Sequence, residues 1–258
     1  MNSFQACILG FLQGLTEFLP VSSSGHIELG KHVLGIVVEE DITFTIAVHL
    51  ATVISTLIIF RKDIADMLRE ALAFQWNEST AYLAKILVSM VPVAVIGLFF
   101  KDYVASFFNG DIAFVGKMLL ITALLLGFTS LAKTGRSEID FFKAFVIGTA
   151  QAFAVLPGIS RSGATIATGL LIGVDKTKIA RFSFLMVIIP ILGEGAISVI
   201  QGDIAGSRIG IMPMLVGFFS ALFSGLIACR LMINIVRNSR LIYFAVYCAI
   251  IGLIAILS

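Results

Sequence analysis

Pro20-Val21-Ser22-Ser23-Ser24-Gly25-His26 and Pro157-Gly158-Ile159-Ser160-Arg161-Ser162-Gly163 interrupt apolar stretches of the chain with hydroxyl-rich loops. Adding 138 to a residue number in the first (Ser22 to Ser160) reaches its partner in the second without a gap. Identities at that shift are Phe4/Phe142, Ala6/Ala144, Gly10/Gly148, Gln13/Gln151, Ser22/Ser160, Ser24/Ser162, Gly25/Gly163, Gly35/Gly173 and Phe44/Phe182. That is roughly three times the chance level for this composition, the mark of an internal duplication. Residues 1–131 and 139–258 approximate the two repeats within one membrane domain. Repeats that both break at a polar loop inside apolar sequence point to that loop as the site.

The composition sets the solvent. The chain is 59% hydrophobic and 13% charged, against about 25% charged for a soluble domain. That excess of apolar surface implies an integral membrane protein. The net charge of +2 says little about partners, and nucleic acid is not expected among them. Cys7, Cys229 and Cys248 stand in apolar stretches without metal or disulfide spacing, and read as small packing residues. No cleavable signal peptide is expected, since no basic side chain precedes the first apolar stretch and Gln13 and Glu17 lie within it.

A bilayer-spanning helix needs about 20 apolar residues. Stretches near that length run over 43–60, 81–100, 112–131, 182–200, 211–230 and 241–257. Two regions differ. Residues 4–19 reach Pro20 and are followed by a short apolar piece ending near Ile36; residues 141–156 reach Pro157, and the next piece ends near Val174. A piece of about 12 residues covers roughly 18 Å, too little for a core of about 30 Å. Both regions therefore read as re-entrant helical hairpins, and residues 61–80, with Trp76, as a helix at the cytoplasmic interface.

Charge supports this path. Internal connections would hold Arg61, Lys62, Arg69, Lys133, Arg136, Lys143, Lys176, Lys178, Arg181, Arg230, Arg237 and Arg240, and external ones only Lys101 and Arg208, beside the acidic run Glu39-Glu40-Asp41. Three spans per repeat invert the second copy. The expected fold is an all-α polytopic membrane protein with an inverted-topology repeat, six transmembrane helices and two re-entrant hairpins that enter from opposite faces and meet inside.

Ionisable groups in apolar segments cost about 2.5–3.5 kcal/mol each on insertion scales, so they pair or function. The first hairpin carries Glu17 and His26, with Gln13 one turn before Glu17; the second carries Arg161, flanked by Ser160 and Ser162 with Thr165 one turn on. Exposed N–H groups, hydroxyls and a helix N-terminus bind oxyanions, and Arg adds a planar fork suited to phosphate. The two hairpins together make a cradle for a phosphorylated ligand, with Glu17 and His26 as an acid/base pair. Each residue also has a structural reading. The serines cap the helices behind them, His26 bonds a carbonyl, Thr165 back-bonds to its own helix, and Arg161 is an internal counter-ion to Glu17. His32 and His49 have no partner at ligand spacing and read as packing or rim residues; Glu194 reads as either a pairing or a cavity-lining group.

Gln13-Gly-Leu-Thr-Glu17-Phe-Leu-Pro-Val-Ser-Ser-Ser-Gly-His26 and Pro157-Gly-Ile-Ser-Arg-Ser-Gly-Ala-Thr165 resemble the two signatures of the undecaprenyl-diphosphate phosphatase (bacitracin-resistance) family. The likeness covers nearly the whole chain. It implies a multi-pass enzyme of the bacterial plasma (inner) membrane, with its site facing the periplasm or cell exterior, that removes the terminal phosphate of a polyprenyl diphosphate lipid. It also implies a divalent cation (Mg2+ or Ca2+) and often a homodimer. Carried over, Glu17 holds the cation or orients the nucleophile, with Gln13 assisting where many members have Glu. Ser23 or His26 is the nucleophile, with a lean toward Ser23 assisted by His26. Arg161 clamps the diphosphate with Ser22, Ser24, Ser160, Ser162 and Thr165. The rival reading is a polyprenyl-phosphate flippase or proton-coupled anion transporter on the same scaffold.

Overall fold

Asn2 and Gln5 start the first helix reciprocally: the Asn2 side chain accepts the Gln5 N–H and the Gln5 side chain accepts the Asn2 N–H, both at 2.9 Å. This helix, α1 (Ser3–Phe18), stops where Leu19 turns extended (ψ 144°), as the residue before a proline must. The computed structural model describes residues 1–36, 42–73, 75–108, 110–132, 135–201, 209–238 and 241–258, with only the backbone at 42, 194, 199 and 201. The acidic run at 39–41, Phe74, Lys133, Arg208, Arg240 and the Glu194 side chain lie outside the described residues.

After α1 the described helices are α2 (Ser23–Val33), α3 (Ile42–Ile59), α4 (Arg61–Ala71), α5 (Glu78–Phe99), α6 (Lys101–Ala105), α7 (Ile112–Phe128), α8 (Phe141–Phe153), α9 (Arg161–Leu171), α10 (Lys176–Met186), α11 (Ile188–Gln201), α12 (Ile211–Arg237) and α13 (Ile242–Leu257). Large apolar side chains such as Phe11, Val91, Leu98, Phe223 and Ile254 face outward, while Gln13, Glu17, Ser55, Thr122 and Ser160 are buried. That inside-out distribution suits lipid as solvent. The chain is a multi-pass, all-helical membrane protein.

Six full spans are expected, and length and composition alone identify fewer among the described residues. Among the described residues, four helical stretches are long and apolar enough to cross: Glu78–Phe99, Ile112–Leu131, Lys176–Ser198 and Ile211–Arg237. A fifth comes from Thr43–Ile59, which turns through 78° into Arg61–Ala71. Ile242–Leu257 has 16 residues, short of the usual requirement. The expected span at 182–200 begins earlier, at Lys176, and breaks at Val187 between α10 and α11. Pro190 explains the break: it has no N–H for the carbonyl of residue 186, and its ring crowds that carbonyl. The expected interfacial helix at 61–80 is the shorter α4, ending at Ala71. Outside the apolar segments, Asp140 caps α8 by accepting the Lys143 N–H at 2.8 Å, a bond that holds its carboxyl below the usual range.

Packing is reciprocal. Helix α1 lies along α12, α8 along α5, and α7 along α13. The aligned glycines Gly10 and Gly148 permit the first two approaches: a Cβ on Gly10 would fall 2.2 Å from the Gly217 carbonyl oxygen, and one on Gly148 2.1 Å from that of Ser89. Close backbone contact through small residues is the usual means of helix association in lipid. Gly10→Ala is therefore expected to cost about 1–3 kcal/mol by overpacking, read as a lower thermal midpoint in detergent. Gly97→Ala, whose added Cβ meets open space, should not lower it; equal effects would contradict the packing argument.

Candidate active site

The two hairpin tips meet between α7 and α13. In the second tip, Ser160 donates its N–H to Thr122 Oγ1 (3.0 Å), and the Thr122 hydroxyl donates to the Gly158 carbonyl (3.1 Å), tying the loop to α7. Across the junction, Ser162 Oγ donates to the Leu19 carbonyl at 3.2 Å. Pro20 of the first tip lies against Gly163, and Gly25 against Gly158. Bulk at these positions would part the tips.

The tips differ in where the backbone turns. Gly158 takes φ +100°, whereas Ser22 takes φ +70°, the one left-handed non-glycine among the described residues. The residue aligned with Gly158 is Pro20, whose ring fixes φ near −65°. The first hairpin takes its left-handed step two residues later, on a serine. Strain of this kind costs about 1–3 kcal/mol and persists only where the surroundings enforce it. The enforcing contacts are visible: Ser22 Oγ accepts the Gly25 N–H at 3.2 Å and the Ser22 carbonyl accepts the His26 Nδ1–H at 2.9 Å.

Glu17 is the hub. It is buried, and its Oε1 forms an ion pair with Arg161 Nη2 across the junction. Its Oε2 accepts the Ser23 hydroxyl at 2.6 Å and the Gln13 amide Nε2–H at 2.9 Å. The guanidinium is also held by the Ser183 carbonyl, 3.3 Å from Nη1. Ser23 comes directly after the strained Ser22 and opens α2; Arg161 opens α9 behind its cap Ser160. Both helix N-termini, with their free N–H groups and positive dipole ends, therefore face the same small volume. A buried acid that holds a serine hydroxyl and an arginine in one contact is a site able to attack, and to bind, an oxyanion.

Several expected residues serve the loops as well. Ser160 Oγ accepts the Gly163 N–H at 3.0 Å and lies 3.3 Å from Ser162 Oγ, as Ser24 Oγ does from Ser22 Oγ. Thr165 Oγ1 donates to the carbonyl of Arg161 at 2.9 Å, with Ser183 Oγ at 2.7 Å. The arrangement differs from expectation at His26. Ser23 has one hydroxyl proton, and it points to Glu17, not to the imidazole. His26 Nδ1 is turned to the Ser22 carbonyl, and Nε2 takes the Tyr247 O–H at 2.8 Å, with the two rings stacked 5.6 Å apart.

Two neighbours were missed from sequence. Tyr247 comes from α13, far away in the chain, and nothing local marks it. His49, read as a packing or rim residue, places Nε2 3.9 Å from Glu17 Oε2. A signal for His49 did exist, since it is an ionisable group in an apolar span.

Known proteins resemble this chain over its length. It is 52% identical over 260 residues to an undecaprenyl-diphosphatase of Bacteroides fragilis, covering 99% of this chain and 98% of that one. It is 49% identical over 259 residues to the undecaprenyl-diphosphatase of Christiangramia forsetii, covering 100% and 98%. The one from Carboxydothermus hydrogenoformans is 40% identical over 258 residues, covering 98% and 95%. Residues 6–254 match the family described as bacitracin resistance protein BacA, so the chain belongs to that family.

Proposed function

We propose that this chain is an integral membrane phosphatase that hydrolyses undecaprenyl diphosphate to undecaprenyl phosphate and inorganic phosphate. The observation that carries the reading is the shared contact of Ser23 and Arg161 on Glu17, at the N-termini of two helices. It accords with the phosphatase name borne by relatives that match nearly end to end. Recycling the lipid carrier in this way serves cell-wall synthesis and confers bacitracin resistance.

Glu17 balances the guanidinium while the site is free of substrate. An arriving diphosphate competes for Arg161 and takes the free N–H groups that open α2 and α9, while the hydroxyls of Ser22, Ser24, Ser160, Ser162 and Thr165 exchange their loop partners for its oxygens. Ser23 Oγ attacks the terminal phosphorus and gives its proton to Glu17. The bond from that phosphorus to the bridging oxygen breaks, and Glu17 protonates the departing lipid phosphate. Water then attacks the phosphoserine, loses a proton to Glu17, and Ser23 Oγ leaves with that proton restored. His26, held at both nitrogens, steadies the strained turn that presents Ser23.

The implied divalent cation suits the donors present. Gln13 Oε1 is a buried oxygen without a hydrogen-bond partner, next to the carboxylate of Glu17. Mg2+ commonly binds through one or two carboxylates together with substrate phosphates. Gln13 and Glu17 would hold it, and when bound it neutralises charge on the diphosphate.

The same proposal makes the two halves inverted repeats, with six crossings and the hairpins entering from opposite faces. Reciprocal packing of α1 on α12 and of α8 on α5 supports it. The basic residues at the internal connections then set the site toward the periplasm or cell exterior in the bacterial inner membrane. A transporter gains no support from relatives named as phosphatases. The test is phosphate release from undecaprenyl diphosphate by purified protein in detergent, with and without chelator. Chelator-sensitive release is expected; absence of release from folded protein with Mg2+ or Ca2+ supplied would overturn the reading.

A further inference from the structure

His49 lies on α3, outside both hairpins, and its imidazole has a defined direction. Nδ1 donates to the Thr45 carbonyl one turn back, at 2.8 Å. That bond assigns the proton to Nδ1 in the neutral ring and leaves the Nε2 lone pair for another partner. Nε2 faces Glu17 Oε2 at 3.9 Å, beyond the 2.7–3.2 Å of an N–H···O hydrogen bond. A lone pair and a carboxylate oxygen side by side repel unless something positive lies between them.

A third donor stands at the same place. The Gln13 amide donates Nε2–H to Glu17 Oε2 at 2.9 Å while Oε1 remains buried and unpartnered. A half-turn of that amide exchanges Nε2 for Oε1 beside the carboxylate. Gln13 then presents an oxygen and His49 an imidazole nitrogen to the same carboxylate oxygen, Glu17 Oε2. Ligand atoms of one cation, each about 2.1 Å from it, stand roughly 3.0–3.5 Å apart at octahedral or tetrahedral angles. The 3.9 Å pair of His49 and Glu17 is within about 1 Å of that separation. A carbonyl-anchored Nδ1–H is also the usual outer support of a metal-binding histidine.

We infer that His49 Nε2 is a ligand of the divalent cation, joining Glu17 and Gln13 in a site of mixed nitrogen and oxygen donors. The inference rests on the cation-dependent phosphatase reading and deepens it. Imidazole favours transition ions over Mg2+ and Ca2+, so Mn2+ should occupy the site more tightly than either. The neutral Gln13 fits the same logic, with His49 supplying a ligand atom without a second buried negative charge.

The experiment needs no turnover. Chelator-stripped protein in detergent is titrated with Mn2+ and followed by electron paramagnetic resonance, with pulsed detection of nitrogen nuclei coupled to the bound ion. Wild type is expected to bind one Mn2+ with an imidazole nitrogen signal. His49→Gln should remove that signal and weaken binding about 10–100-fold, while His32→Gln, at an exposed histidine, leaves both unchanged. Mn2+ bound without nitrogen coupling in wild type, or coupling that survives in His49→Gln, would overturn the inference; so would failure to bind Mn2+. The wild-type spectrum decides even if His49→Gln does not fold. Because phosphate release is measured separately, a phosphatase whose cation shows no nitrogen coupling refutes this inference alone.

Discussion

Arg161→Ala is expected to lower kcat/KM for phosphate release by about 10²–10³-fold, the loss that accompanies removal of one preorganised donor to a developing oxyanion. The guanidinium is the one positive side chain in contact with Glu17 from the second hairpin, and its planar fork matches phosphate better than a lysine does. The same change strands Glu17, a buried carboxylate, without its counter-charge. Breaking a buried pair from one side costs about 3–5 kcal/mol in proteins, so the thermal midpoint should fall as well. These two losses separate in the double variant Glu17→Gln/Arg161→Ala, which removes the stranded charge: stability should recover, activity should not. Glu28→Ala is the control. Glu28 pairs with Lys31 at 2.8 Å within α2, and a partly exposed pair of this kind is worth about 0–1 kcal/mol. If Glu28→Ala cost as much rate as Arg161→Ala, the clamp role would be lost.

Ser23→Ala is expected to be the more severe catalytic change, at least about 10³-fold in kcat, because it removes the attacking oxygen itself. Stability should change little: Glu17 keeps Arg161 and Gln13, and the cap of α2 is provided by Ser22. His26→Gln should fall between Ser23→Ala and wild type, with about a 10–100-fold loss, as for outer groups that orient a reacting one. Its ring is engaged by Ser22 and Tyr247, so its removal loosens the turn and leaves the nucleophile present. Rapid quench and then peptide mass measurement should place a phosphate on Ser23. A phosphate on His26, or a His26 variant slower than Ser23→Ala, would reverse the assignment.

Much of this was readable in the chain. Breaks at Pro20 and Pro157, with serines behind each, located the helix starts and hence the tips, because proline forces the preceding residue extended and serine caps the helix behind it. Gly10 and Gly148 align in the duplication, but that both are places where helices meet at backbone distance emerges only from the fold. Pro190 also carried a legible signal, but a continuous apolar run masked it, and the break at Val187 was not expected. Partnerships were harder. Ser23 and His26 are three residues apart and suggest a pair, yet the turn at Ser22 directs the hydroxyl to Glu17 and the ring to a carbonyl. Tyr247 and His49 reach the site through helix packing; no local pattern marks Tyr247, while His49 stands out only as an ionisable group in an apolar span.

We propose that residues from both hairpins act as one catalytic site. It is tested most directly by phosphate release from undecaprenyl diphosphate by four proteins: wild type, Glu17→Gln, Arg161→Lys and the double variant. Groups that act as a unit are strongly non-additive. Both single variants are expected to be impaired, with the double variant within about threefold of the slower one. Losses that multiply as for independent sites, or either single variant at the wild-type rate, would contradict it.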